Sequence, residues 1–489
     1  MLFQQNWLNK FAGALVTFAF VNICFAEEGE NKVEFFGSAA LQSGQLVNFK
    51  YGAPDGTELS HKWMQDNIMT LGLKSRINSR LSGDVSIKSF LFYNPFPDSL
   101  MGNPAQDRNS AAVRFDLLSA RMSFKLSPDP QDSLLDLELG IFPFKYNNDV
   151  RNLGEYLFRT GCYPGYIYTY DGFDMTGAPL SGIRLSSNLF GSWHNELFLT
   201  SELYLYPAKD FSLTYLTDYT PFTNKVLNVG GAVQFYRLIP ADNAFTQPKL
   251  YQQKRNAGDA KIAPNWYIND NGDTAYYTFA GTKLMARFAF DPKPLFGGSK
   301  IFGPEDLKLY SEAIILGVKN YPASLDSNQS TNQKPINQFG YNKLMEKMPI
   351  MVGLNLPAFN LLDVLSVEAE YYGKKYVNRV PVFANSSNMI RLPVPYDPNL
   401  NNGQPNGSNE GNNYGRSGLY TKSTYYGGAA QWKWSVYAKK TLFNNFSIIA
   451  QAARDHSFAQ TILPQNVDYE EMFIKDKQWY WMLKFGYVF

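Results

Sequence analysis

The sequence predicts an all-β fold, a closed up-and-down antiparallel barrel of about 16 strands (14–18) that crosses a membrane. Three observations predict it. Apolar and polar residues alternate with the strand period of two along most of the chain. Short and long polar spacers alternate between these segments. The first 26 residues have the order of an export signal.

The N-terminus predicts export from the cytoplasm. Lys10 precedes the apolar run 11–21, which is too short to span a bilayer, and Ala26 is followed by two glutamates. We therefore expect a signal peptide over 1–26 and a barrel over 27–489. The alternatives are a buried N-terminal helix or a lipoprotein modified at Cys24, which bulky Ile23 disfavours.

The alternating segments follow one another along the whole chain. Upward strands are expected to begin near residues 34, 84, 133, 193, 226, 307, 364 and 446, and downward strands near 67, 113, 180, 211, 276, 348, 428 and 477. The alternation over 211–218 is short, and without this segment the count falls to about 14.

The spacers between segments fall into two classes. Short ones lie at 81–84, 127–131, 188–192, 357–360 and 442–445, and long ones at 51–66, 94–112, 145–179, 238–275, 319–347, 374–427 and 457–476. Tight turns at one rim and long loops at the other are typical of membrane barrels. The short turns are therefore expected on the periplasmic side and the long loops on the extracellular side.

Composition excludes several other classes of protein. Aromatic residues make up 16% of the chain and charged residues 18%, with 45 basic and 43 acidic residues. The chain is too polar for a bundle of membrane helices, too aromatic for a disordered protein, and not basic enough to indicate nucleic-acid binding. A strand with one apolar face and one polar face suits a wall between lipid and water.

The last segment carries the most specific pattern. Apolar or aromatic residues occupy every odd position at its end: Trp479, Trp481, Leu483, Phe485, Tyr487 and Phe489. These 11 residues resemble the C-terminal signal of Gram-negative outer-membrane β-barrel proteins. The resemblance implies a location in the outer membrane, contact with its lipid, and insertion by the barrel-assembly machinery.

The expected strand number and the long third loop also resemble the general porins. That resemblance implies passive diffusion of small hydrophilic solutes and a possible homotrimer. In general porins the third loop folds into the lumen and narrows the pore, and here it is 145–179. Its candidate constriction residues are Asp149, Arg151, Glu155, Arg159, Asp171 and Asp174.

Within this loop, residues 154–159 are expected to form a helical turn. Glu155 and Arg159 would then pair at positions i and i+4. This pair either belongs to a constriction or only fixes an outer loop, and the two roles can coexist.

Strand parity assigns charged residues to the barrel interior. The principal basic candidates are Lys74, Arg76, Arg121, Lys125, Arg287 and Lys433. Acidic candidates are Asp136, Glu138, Glu196, Glu202, Glu312, Glu368 and Glu370. A basic excess predicts a mild preference for anions; alternatively, these residues only pair across strands.

No enzyme, cofactor or metal site is predicted. The three histidines, His61, His194 and His456, lack metal-ligand spacing, and no GxSxG occurs. Cys162 is either an unpaired structural cysteine or a reactive thiol.

Two alternatives to a channel remain. One is a barrel sealed by its loops, including 238–275 and 374–427, that binds glycans or surfaces. The other, an energy-coupled receptor, is disfavoured because the first strand is expected soon after residue 26, which leaves no room for a plug.

Overall fold

The computed structural model describes most of the alternating segments and parts of their connections. The described residues are 32–47, 63–94, 110–127, 134–158, 166–167, 177–188, 192–202, 211–222, 225–239, 266–268, 274–276, 281–297, 301–316, 318, 348–371, 379–380, 432–454, 457–460, 469–471, 477 and 479–489. Among these residues, no helix is long and apolar enough to cross a membrane.

Sixteen of the described strands form one closed antiparallel barrel. In chain order they are β1 (Lys32–Val47), β2 (Trp63–Arg76), β3 (Leu81–Asn94), β4 (Ser110–Lys125), β5 (Leu135–Phe144), β6 (Ala178–Ser187), β7 (Trp193–Glu202), β8 (Phe211–Tyr219), β9 (Leu227–Ile239), β10 (Gly281–Phe290), β11 (Leu309–Ile315), β12 (Ile350–Asn355), β13 (Val364–Tyr371), β14 (Trp432–Leu442), β15 (Phe446–Arg454) and β16 (Trp479–Val488). Each pairs with its neighbours in the chain, and β1 pairs with β16. The predicted up-and-down barrel is confirmed.

The strand positions also agree with the sequence, with one local error. The segment of short alternation at 211–218 forms β8. The turn expected at 81–84 lies instead at residues 77–80, and Asp84 lies within β3. The side chain of Asn78 explains the shift, because its Oδ1 accepts hydrogen bonds from the backbone N–H groups of Arg80 and Leu81, both at 2.8 Å.

The two faces of the barrel differ in polarity. Residues directly opposite each other on paired strands share a face. On β16, Tyr480 and Met482 are buried on the inner face, whereas Phe485 and Tyr487 are exposed on the outer face. Buried charged residues such as Lys283 lie inside. The outer wall is therefore apolar over most strands, as a bilayer requires.

The C-terminal residues close the barrel. Gly37 and Phe489 exchange two backbone hydrogen bonds of 2.9 Å each. The Phe489 ring stacks on Phe35 and Tyr487, with both centroid distances at 6.2 Å, and Trp481 packs edge-on against Trp63 at 6.1 Å. The outer ends of β1, β2 and β16 thus carry clusters of aromatic side chains, as the membrane interfaces of barrels do.

Strand length varies strongly around the barrel. β1 and β4 each have 16 residues, whereas β11, β12 and β13 have seven, six and eight. β10 and β11 are joined at the short-turn rim by residues 291–308, which include the 3-10 helix Lys293–Phe296. β12 and β13 are joined at the same rim by residues 356–363.

Further short strands lie outside the barrel in the long connections. Trp266–Ile268 pairs with Thr274–Tyr276. A second small sheet has the order Arg379–Val380, Tyr469–Glu471, Ser457–Gln460 and Tyr166–Ile167. This sheet joins the third long loop to the loops that follow β13 and β15.

Candidate functional site

The third loop begins with a segment, residues 145–158, that fills part of the barrel interior. Its side chains Val150, Leu153, Tyr156 and Leu157 are almost fully buried. They belong to one apolar cluster with inward-facing wall residues, namely Phe142, Leu180, Phe198, Leu216, Met285, Tyr310, Ile314 and Met351. We call residues 145–158 the inner loop. It packs against β10–β13 and the wall strands β5–β8.

The carboxylate of Glu368 on β13 is the main polar anchor of the inner loop. It accepts hydrogen bonds from three consecutive backbone N–H groups, those of Arg151 at 2.6 Å and of Asn152 and Leu153 at 2.8 Å. The hydroxyl of Tyr310 donates a fourth at 2.9 Å. Successive N–H groups that converge on one anion form a strong and directional site.

Two more buried carboxylates hold the ends of the inner loop. Glu312 on β11 accepts from the Tyr146 hydroxyl at 2.5 Å, the Asn147 amide at 3.1 Å, and the backbone N–H of Tyr156 at 2.9 Å. Glu370 on β13 accepts from the Tyr156 hydroxyl at 2.8 Å. Burial, reinforced by these carboxylates, raises the pKa of Tyr146 and Tyr156 well above the usual value.

A buried lysine donates a hydrogen bond to a backbone carbonyl at the far end of the inner loop. Lys283 on β10 is fully buried and donates to the backbone carbonyl of Leu157 at 2.8 Å. Its ammonium also lies 5.5 Å from the centre of the Tyr236 ring, so it interacts with an aromatic face as well. The cation therefore fixes the loop and does not point into open solvent.

The backbone at Gly154 and Glu155 differs from the expected helical turn. Gly154 has φ 97° and Glu155 has φ 58°, both in the left-handed region. The φ of Gly154 explains the glycine, because a residue with a side chain would be strained there. The Glu155 carboxylate accepts from the backbone N–H of Asn147, so it closes the inner loop on itself. Arg159, Asp171 and Asp174 lie outside the described residues, as does Cys162.

The tip of the inner loop is attached to the connection between β10 and β11. Arg151 Nη2 lies 2.9 Å from Glu305 Oε2, and Lys308 Nζ lies 2.7 Å from Glu305 and 3.6 Å from Asp149. Burial lowers the pKa of Lys308, but the hydrogen bond to Glu305 and the charge of Asp149 outweigh it, so this pKa lies above the usual value. The tip is thus held by partly exposed ion pairs near the short-turn rim.

A row of alternating charges crosses the inner face of five consecutive strands, and we call it the ionic row. It consists of Asp84, Arg121, Glu138, Arg184 and Glu196, on β3 to β7. Arg121 lies 2.5 Å from Asp84 and 2.7 Å from Glu138, and Arg184 lies 3.0 Å from Glu138 and 2.6 Å from Glu196. Each arginine is thus shared between two carboxylates.

The ionic row has two further neighbours, the His194 side chain and the aromatic ring of Phe144. His194 Nε2 lies 2.8 Å from Glu196, and Nδ1 lies 2.6 Å from Asn188 Oδ1. The Arg184 guanidinium lies 4.8 Å from the centre of the Phe144 ring, which packs edge-on against Phe158 of the inner loop. The row therefore contacts the loop through aromatic side chains. Within the described residues, no cluster of acidic, histidine and cysteine side chains could hold a metal ion.

The structure places the six basic candidates in three different environments. Lys74, Arg76 and Lys125 are exposed on the inner face near the short-turn rim. Arg121 belongs to the ionic row, and Arg287 is paired with Asp218 at 2.5 Å. Lys433 is buried. Only the first group contributes exposed positive charge to the interior.

Sequence reasoning did not identify Asp84 and Asp218, the partners of Arg121 and Arg287. Asp84 had been assigned to a turn. Asp218 lies on β8 with the same parity as the inward-facing residues Thr214 and Leu216, so a longer alternation there would have revealed it. The acidic candidates Glu312, Glu368 and Glu370 do lie inside, as anchors of the inner loop.

Comparison with known proteins gives similarity in fold and none in sequence. No protein-family model matches the chain, and no curated protein matches it. Solved structures that are similar to it include a mutant porin of Rhodopseudomonas blastica (6% identity, TM-score 0.40, 94% of this chain and 100% of the other). Others are Pseudomonas putida OprB at high pH (11% identity, TM-score 0.43, 94% of each chain covered) and Salmonella typhi OmpF in complex with daunomycin (13% identity, TM-score 0.41, 95% of this chain and 99% of the other covered). At these scores, the porin-like architecture rests on the closure and register of the barrel itself.

Proposed function

We propose that this chain is an outer-membrane channel of the porin type that passes small hydrophilic solutes by passive diffusion. An apolar outer wall and a charged inner wall on one closed sheet suit a protein with lipid outside and water inside. The proposal includes export by a cleaved signal peptide over 1–26. It assigns no catalytic step and no cofactor to the chain.

The observation that carries the proposal is the inner loop, fixed inside the closed barrel by Glu312, Glu368 and Glu370. We infer that this loop, held against one wall, narrows the interior and leaves a passage beside the opposite wall. Lys74 and Arg76 on the opposite part of the wall are exposed, so solvent reaches the inner face there. The narrow passage between the loop and this wall would select solutes by size.

Charge selectivity is proposed to be weak and to favour anions. On the inner face of β1–β7 near the short-turn rim, six basic residues (Lys32, Lys74, Arg76, Arg121, Lys125 and Arg184) face five acidic ones (Glu34, Asp84, Asp136, Glu138 and Glu196). The excess is one positive charge, and the ionic row neutralises much of the wall. A nearly balanced lining gives only a small preference between ions.

Ion conductance in a planar bilayer tests both parts of this proposal. The purified chain should give stepwise conductance, and a salt gradient should give a reversal potential slightly on the anion side. K74E together with R76E should move the reversal potential to the cation side, because both side chains are exposed in the lumen. The matched control K440E changes a charge on the outer side of β14, beside Asp363, and should leave the reversal potential unchanged. If the purified chain gives no ion conductance in the bilayer, the proposed channel function is wrong.

Assembly and partners belong to the same proposal. The barrel-assembly machinery would recognise the last strand through Trp479, Trp481, Phe485, Tyr487 and Phe489, whose side chains line its outer face. A homotrimer in the outer membrane is proposed by analogy with porins. Replacement of Phe489 by Ser should reduce the amount of folded barrel in the outer membrane, and cross-linking in membranes would count the subunits.

A further inference from the structure

The short-turn rim below β10–β13 exposes an unusual number of large apolar side chains. Leu295, Phe296, Ile301, Phe359 and Leu361 lie in the two connections at this rim and are between 52% and 77% exposed. The two connections touch, since Asn360 Nδ2 donates to the Ile301 carbonyl at 3.4 Å. Exposed large apolar side chains gathered in one region of a surface indicate an interaction surface. We call these five side chains the apolar rim.

Several polar groups of the same two connections are bound within the protein. Asp306 is buried and accepts from the backbone N–H groups of Gly303 at 2.9 Å and Phe359 at 3.1 Å. Lys293 Nζ donates to the carbonyl of Asp306 at 2.5 Å, and Lys440 Nζ donates to the carbonyl of Asn360 at 2.9 Å. The two connections therefore form one unit held by internal hydrogen bonds, and its outer side carries the apolar rim and one ion pair, Lys440 with Asp363 at 3.9 Å.

The backbone of this unit is held in an uncommon conformation. Phe359 has φ 50° and Asn360 has φ 63°, and for a bulky residue such as phenylalanine this left-handed region is disfavoured. The hydrogen bond from the Phe359 N–H to Asp306 helps to hold it there. The Phe359 ring stacks on Phe302 at 5.8 Å, which keeps it at the surface. The Phe359 side chain is thus exposed even though its backbone conformation is strained.

The described strands above the apolar rim are shorter than the apolar band of a membrane barrel. A seven-residue strand such as β11 rises about 3.3 Å per residue and, tilted by about 40°, spans about 18 Å. The apolar band of an outer-membrane barrel is about 25 Å tall. Residues beyond the described strand ends supply the remaining height, and the apolar rim lies directly beyond the ends at the short turns.

We propose that the apolar rim lies in the bilayer, at the boundary between headgroups and acyl chains of the periplasmic leaflet, and completes the apolar band below β11–β13. The occupant of this surface is lipid, because the rim continues the outward-facing side chains of β12, Val352 and Leu354, which are exposed too. Phe443, 92% exposed in the neighbouring turn between β14 and β15, extends it sideways. This inference rests on the proposed membrane location.

Nitroxide accessibility in lipid vesicles tests the inference. In a chain with Cys24 and Cys162 replaced by serine, single cysteines are placed at L361C and F296C, labelled, and reconstituted in phosphatidylcholine vesicles. Two matched controls are V367C, on the outer face of β13, and S79C, in the exposed turn between β2 and β3. Collision rates with oxygen report lipid, and collision rates with a water-soluble nickel chelate report water.

The expected result is that the labels at positions 361 and 296 favour oxygen over nickel, like the label at 367, while the label at 79 favours nickel. If the rim labels behave like position 79 while position 367 favours oxygen, the inference is wrong and the membrane barrel stands. If position 367 also favours nickel, the proposed membrane location fails. Spin–spin broadening between rim labels that disappears on dilution with unlabelled chain would assign the rim to a second copy and would also overturn the inference.

Discussion

Replacement of Glu368 by glutamine should release the inner loop from the wall. Glutamine keeps the shape of the side chain but offers one carbonyl oxygen in place of two carboxylate oxygens. The single amide oxygen can keep the hydrogen bonds from the backbone N–H groups of Asn152 and Leu153. The amide NH2 then faces the backbone N–H of Arg151, which in the unmodified chain lies 2.6 Å from a carboxylate oxygen. One buried backbone donor loses its partner, and the remaining hydrogen bonds lose their charge.

The cost follows from these contacts. A buried unpaired donor costs about 1–3 kcal/mol, and a hydrogen bond to a charged group is worth about 1.5–3 kcal/mol against about 1 kcal/mol for a neutral one. Together these give about 3 kcal/mol for E368Q. That value weakens the docked state of the loop more than about a hundredfold relative to the released state. The released loop moves in the lumen, so current noise should rise.

Single-channel recording measures this effect, with E305Q as the matched control. Glu305 also contacts Arg151, and the replacement changes the charge by the same amount, but it lies in a partly exposed ion pair worth about 1 kcal/mol or less. E368Q should therefore show excess noise and altered conductance, whereas E305Q should resemble the unmodified chain. Equal noise and conductance in E368Q, E305Q and the unmodified chain would refute the role of Glu368 as an anchor.

Two further predictions follow from the same interior. R184M leaves Glu138 and Glu196 without their shared guanidinium, although Glu138 keeps Arg121 and Glu196 keeps His194. The change should destabilise the barrel by about 1–3 kcal/mol, measured as a lower unfolding temperature in detergent, and an unchanged unfolding temperature would contradict the ionic row. The buried tyrosines Tyr146 and Tyr156 have a raised pKa, so the stability they contribute is present below the unfolded pKa of about 10 and is lost as pH rises above it. Conductance noise should therefore increase above pH 10 and be unchanged between pH 7 and 9, and a flat profile up to pH 12 would count against loop docking by these hydroxyls.

The barrel could be predicted from the sequence because its signal is local. The period of two is present within each strand, and parity then assigns side chains to lipid or lumen without knowledge of the partner strand. Parity in this way assigns both Lys74 and Glu368 to the interior; Lys74 lies opposite Asp84, and Glu368 binds the inner loop. The error at the turn after β2 arose because the hydrogen bonds of Asn78 end that turn earlier than the composition of 81–84 suggests.

The docking of the inner loop could not be predicted in the same way. Arg151 and Glu368 are 217 positions apart in the chain, and nothing in the spacing of either segment specifies the contact. The left-handed backbone at Glu155 accompanies a hydrogen bond from the backbone N–H of Asn147 to its carboxylate, and the spacing of residues 154–159 does not reveal that contact. Ion pairs between side chains on neighbouring strands likewise determine which basic residues remain exposed, and the sequence pattern does not show these pairs.

We propose that the inner loop narrows the lumen of the barrel, and single-channel conductance of a loop deletion tests this most directly. A chain lacking residues 150–170 removes the contacts to Glu368 and the end of the inner loop at Tyr156. The unmodified chain should give discrete conductance steps, and the deletion should give larger ones because the lumen is wider. Steps of equal or smaller size in a correctly folded deletion, or no conductance from either chain, would contradict the account.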